Sequence, residues 1–146
     1  MPYALAMARH AQNLDLKSIW LFSGCSASEI RKIRGSLDEL TVAPGKVLCE
    51  EGDIGREFFV IVSGTASVRR KGRKVATLGP GDYFGELALL DRKPRSATVI
   101  SEGDLQILVL GQRQFNAILE SMPSIARKLL SATATRLREA DARAFH

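Results

Sequence analysis

The sequence predicts a mainly β domain, a roll or barrel, with helices at both ends. Three observations carry this reading. Between residues 40 and 110, short apolar runs recur at even spacing and glycine-bearing turns separate them. On either side of that region, apolar residues fall at helical spacing instead. Cysteine is sparse, with two in 146 residues, so no disulfide framework stands in for a core. A chain of this length can bury a core of its own and reads as a single domain, 1–146.

The N-terminal helical region covers residues 1–38. Residues 3 to 22 mix alanine and leucine with polar residues, and Asp15 is placed to cap a short helix ending near Phe22. Trp20 and Phe22 read as core or interface anchors. Ser23-Gly24-Cys25 breaks the chain. Ser26, followed three residues later by Glu29, fits a capping box, and Ile30, Ile33 and Leu37 repeat at helical spacing behind it.

The β region covers residues 39–111. Thr41–Ala43 and Lys46–Glu50 read as strands joined by the Pro44-Gly45 turn, and Glu51-Gly52-Asp53 is the next turn. Phe58–Val62 is the most hydrophobic run and reads as a central strand. Ala66–Arg70 follows, with Val68 facing in and Ser67 and Arg69 out by alternation. Lys71-Gly72-Arg73 makes a tight hairpin, Lys74–Leu78 returns, and Gly79-Pro80-Gly81-Asp82 turns again. Ala97–Ile100 and Leu105–Leu110 are strands around Glu102-Gly103-Asp104. Residues 112–146 are helical. Phe115, Ile118 and Leu119 share one face before Met122-Pro123, and a longer helix then runs from Ser124 to about Ala142. Its apolar stripe is Ile125, Leu129, Ala132 and Leu137, with Arg127, Lys128, Arg138 and Glu139 toward solvent.

The chemistry concentrates between Phe84 and Val99, in Phe-Gly-Glu-Leu-Ala-Leu-Leu-Asp-Arg-Lys-Pro-Arg-Ser-Ala-Thr-Val. A short helix after Gly-Glu presents unpaired N–H groups to an anion. Gly85 lets the backbone approach a ligand, and Arg95 offers a planar fork suited to phosphate oxygens. Glu86 would repel a phosphate, so it asks for a sugar hydroxyl that donates to its carboxylate.

These sixteen residues resemble the phosphate-binding cassette of the cyclic nucleotide-binding domain family, and the turn pattern agrees over roughly residues 20 to 142. The resemblance implies an eight-stranded, jelly-roll-like β-roll with N-terminal helices and a C-terminal helical lid. It implies that Gly85 and Glu86 sit at the ribose phosphate, with Glu86 on the 2′-hydroxyl, and that Arg95 pairs with the cyclic phosphate. Leu87, Ala88, Ser96 and Ala97 would add backbone donors, and Ser96 a hydroxyl. It places Val68, Val75 and Leu78 near the base and makes Arg136 the polar lid residue. Where bacterial activators have a Thr-Ser pair for adenine, this chain has Ala140-Asp141. The expected ligand is cyclic AMP, with cyclic GMP as the competitor, and no other cofactor is expected.

Other classes fit less well. Net charge is +5, from 21 basic and 16 acidic residues, which a basic ligand pocket and a mixed-charge helix account for. The family's transcription activators carry a helix-turn-helix after the lid, where this chain has four residues, so direct DNA binding is not expected. A DNA-associated regulator lacking that module and a ligand-free interaction scaffold are the rivals. The only histidines are His10 and His146, which leaves no metal ligand set, and no nucleophile–base pair stands in motif context, so the chain is not read as an enzyme. No apolar run has membrane-spanning length, and a cytoplasmic location is expected. An unidentified partner protein and a homodimer through the C-terminal helix complete the expectations.

Overall fold

The computed structural model describes residues 14–144. Residues 3 to 13 of the N-terminal helical region lie outside them, as do His10 and His146. The chain packs as two compact units, a β unit containing residues 37–112 and a helical unit containing 15–36 and 113–144.

The β unit holds eight strands: β1 (Asp38–Val42), β2 (Val47–Cys49), β3 (Glu57–Ser63), β4 (Ala66–Arg70), β5 (Arg73–Leu78), β6 (Tyr83–Phe84), β7 (Thr98–Ser101) and β8 (Leu105–Gly111). They form two four-stranded sheets, ordered β1-β8-β3-β6 and β2-β7-β4-β5, with every pairing antiparallel. This is the β-roll expected from the turn spacing. The core between the sheets is built by alternate residues, including Phe59 and Ile61 of β3, Ile107 and Val109 of β8, and Val99 of β7. Central strand β3 is buried on both faces, which explains its continuous apolar run.

Three features escaped the pattern of residues. The strands on either side of Pro44-Gly45 belong to different sheets, so this turn is a crossing and not a hairpin. Buried Ser101 secures it: its Oγ donates to the Ala43 carbonyl at 2.6 Å and accepts from the Lys46 N–H at 2.9 Å. Strand β6, Tyr83–Phe84, is two residues long, too short for a period to register. Phe84 stacks on Phe59 with ring centroids 4.8 Å apart. Ser67, expected outward, is buried, with its hydroxyl 3.5 Å from the Ile100 carbonyl.

The helical unit contains two 3₁₀ turns, Leu16–Ser18 and Trp20–Phe22, and the helices α1 (Ala27–Gly35), α2 (Gln112–Ser121) and α3 (Pro123–Ala144). Asp15 caps the first turn through the Lys17 N–H. The Ser26/Glu29 capping box forms in full. Pro123 opens α3, where a missing N–H costs nothing. The buried stripe of α3 stops early: Ile125 and Leu129 are buried, whereas Leu137 is 63% exposed. Lys128, read as solvated, instead pairs with buried Glu29.

Candidate functional site

A cavity of about 530 Å³ lies in the β unit, lined by strands of the β2-β7-β4-β5 sheet and by residues 83–97. The sheet contributes a cross-strand row in which Cys49 faces Val99, Val99 faces Val68 and Val68 faces Ala76. Val68 and Leu78 are half-buried and line the cavity. Val75 does not line it. The β4–β5 register steps from Val68↔Ala76 to Arg69↔Lys74, so Val75 is the extra residue of a bulge and stands 56% exposed.

Gly85 precedes the 3₁₀ turn Glu86–Leu89 with φ +86°, a left-handed conformation that side chains resist. A Cβ there would lie 2.7 Å from the Glu57 carbonyl oxygen and would collide with the Arg95 guanidinium. Half-buried Glu86 opens the turn and lines the cavity. The Ala88 N–H already donates to the Gly85 carbonyl at 3.0 Å, so that donor is engaged within the turn. Leu87 is 55% exposed at the cavity wall.

Arg95 is held from three directions. Its backbone N–H donates to the Asp53 carbonyl at 2.7 Å, and its own carbonyl accepts from the Gly52 N–H at 2.8 Å. Its Nη2 donates to the Glu57 carbonyl at 2.6 Å. The guanidinium lies against the backbone of Gly55, where a Cβ would collide with it, so the arginine is seated between two glycines, Gly55 and Gly85. Its Nε is buried and makes no hydrogen bond. Ser96, exposed, and Ala97, half-buried, continue the lining.

Several lining residues were not singled out from sequence. Cys49 brings its Sγ within 3.7 Å of the Ala97 carbonyl, and burial raises its thiol above the ordinary range against the opposing pull of Arg95. A protonated thiol donates to that carbonyl and helps hold the cassette. Arg70 and Lys93 bring further positive charge. Gly55, which seats Arg95 without lining the cavity, had one signal: Gly52 alone suffices for the turn, which leaves a second glycine three residues later unexplained.

Arg136 lies in the helical unit, with its guanidinium carbon 4.7 Å from the centre of the Trp20 ring. The two residues thus meet in a cation–π contact within the helical unit. Among the described residues, no group of three or more His, Cys, Asp or Glu could hold a metal ion, and no helix is long and apolar enough to cross a membrane.

Comparison with known proteins agrees with this fold. The profile of the cyclic nucleotide-binding domain family matches residues 39–122. The chain belongs to that family. It is 34% identical over 128 residues to a cAMP-dependent protein kinase regulatory subunit of Hypocrea atroviridis, covering 88% of this chain and 28% of the relative. It is 32% identical to the cyclic AMP receptor protein of Thermus thermophilus, covering 86% of this chain and 61% of that one. This chain therefore spans less than two thirds of either relative. Among solved structures, the N-terminal domain of a transcriptional regulator from Streptomyces coelicolor A3(2) superposes with a TM-score of 0.77. The two share 33% identity over 85% of this chain and 90% of that domain.

Proposed function

We propose that this chain is a regulatory module that takes cyclic AMP into the β-unit cavity. The observation that carries the reading is the seat of Arg95 between Gly55 and Gly85. There its fork is oriented by the Glu57 carbonyl, in a cavity that also holds the carboxylate of Glu86. In this reading Arg95 and Ser96 hold the cyclic phosphate, Gly85 admits its close approach, and Glu86 accepts from the ribose 2′-hydroxyl. Leu87 and Ala97 add backbone donors, and Val68 and Leu78 flank the base.

Calorimetric titration tests the ribose claim directly. Cyclic AMP should bind, and its 2′-deoxy analogue should bind about tenfold or more weakly, because it lacks the hydroxyl that donates to a charged carboxylate. Equal affinities would remove the role given to Glu86. Cyclic GMP binding more tightly than cyclic AMP in the same cell would overturn the choice of base.

Output requires a ligand with different affinity for two conformations, so binding shifts the population of the helical unit and changes what a partner protein meets. The second copy of the chain is one such partner. Leu130 and Leu137, seven residues apart on α3, are 72% and 63% exposed, the spacing of a two-helix seam. Leu137→Glu should lower the sedimenting mass; an unchanged mass would exclude the seam.

A further inference from the structure

We infer that the tip of the β4–β5 hairpin is a docking surface for a short acidic segment of a partner protein. The run Arg69-Arg70-Lys71-Gly72-Arg73-Lys74 places five cations in six residues. Strand register sets them against one another, with Arg69 opposite Lys74 and Arg70 opposite Arg73. Like charges directly across a strand pair repel. The turn adds to the cost, since Lys71 holds φ +51°, a left-handed position that such turns ordinarily give to asparagine or glycine.

Relief within the chain is partial. Lys74 pairs with Glu102 at 3.0 Å, but Glu51 accepts the backbone N–H of Lys71 and not its ammonium. Among the described residues, Arg70, Lys71 and Arg73 have no carboxylate partner, and all three are exposed. The Nε of Arg69 is buried without a hydrogen bond. One external anion at the tip relieves the Arg70–Arg73 pair and the neighbouring Lys71 ammonium together.

The shape of the charge selects the anion. A nucleic-acid backbone needs a continuous basic track. Here the carboxylates of Glu51 and Glu102 stand beside the hairpin and interrupt such a track. A short acidic segment needs only the tip. Arg70 also lines the cavity, so a nucleotide there and an acidic segment at the tip share one cation. Their binding is thereby coupled, and the coupling is reciprocal. This coupling rests on the function proposed above, whereas the docking itself does not.

The test is fluorescence anisotropy of a labelled octaglutamate peptide with the whole chain, alongside a labelled DNA duplex and phosphatidylglycerol vesicles. The Arg70→Ala/Lys71→Ala/Arg73→Ala variant should lose at least tenfold in peptide affinity. A variant with the same charge removed elsewhere, Arg31→Ala/Lys32→Ala/Arg127→Ala, should lose less than twofold, and matching melting temperatures should show both variants folded. Equal losses in the two variants, or tighter tip-dependent binding of duplex or vesicles, would overturn the proposal. Saturating cyclic AMP should change peptide affinity in the wild type and not in Arg70→Ala. Tip-dependent docking by a chain that binds no cyclic AMP would support the surface while defeating the function proposed for the cavity.

Discussion

Arg95→Ala is expected to weaken cyclic AMP binding by about 1.5–3 kcal/mol, roughly tenfold to a hundredfold, the scale of a hydrogen bond to a charged group. The expectation rests on how Arg95 is seated. The guanidinium is oriented before ligand arrives, because Nη2 is fixed on the Glu57 carbonyl and Gly55 and Gly85 clear the space around it. Little ordering entropy then remains to be lost on binding. Calorimetry of Arg95→Ala and Arg95→Lys separates charge from shape. The lysine variant keeps the charge but has no fork, so it should fall between alanine and wild type. Wild-type affinity in Arg95→Ala, with the fold verified by melting temperature, would show that the phosphate is held elsewhere.

Glu29→Gln is expected to cost the helical unit about 2–3 kcal/mol at neutral pH, and the deficit should vanish in acid. The Glu29 carboxylate is 2% exposed and joins α1 to α3. It accepts from Ser124 Oγ at 2.6 Å and from the Ser26 N–H at 2.7 Å, and it pairs with Lys128. These donors, Lys128 first, pull its pKa from 4.5 to about 2. A carboxyl whose folded pKa lies below its unfolded value contributes stability that is fully present above about 4.5. That contribution drains away as pH falls toward 2. The shift corresponds to about 3 kcal/mol at most. Urea unfolding of wild type and Glu29→Gln should therefore differ at pH 7 and converge near pH 2. A constant difference across that range would mean that the loss comes from packing and not from charge.

The two variants also mark how far the sequence could be read. Glu29 was visible as half of a capping box because Ser26 and Glu29 are three residues apart, a spacing that local helix geometry converts into contact. Its other partners, Ser124 and Lys128, lie nearly a hundred residues away, and nothing in α3 marks them. Lys128 reads as a solvated charge because its neighbours on the helix are charged too. Arg95 was legible for a comparable reason, since Gly85, Glu86 and Pro94 surround it in one stretch. Gly55 and Glu57, which orient it, belong to another loop. Val75 shows the reverse failure, because alternation assumes an unbroken register and the bulge in β5 breaks it. Leu137 fails because a helical stripe predicts a face, and says nothing of where cover for that face ends.

What the sequence determined by itself is whatever depends on near neighbours: the turns, the caps, the strand periods, and a cassette whose glycine, acid and arginine sit within eleven residues. Tertiary structure decided which strands share a sheet, which glycines make room for Arg95, and which cations in the β4–β5 hairpin are left opposite one another. These depend on register and on close approach between segments far apart in the chain. One residue of slip changes both, and no local pattern records them.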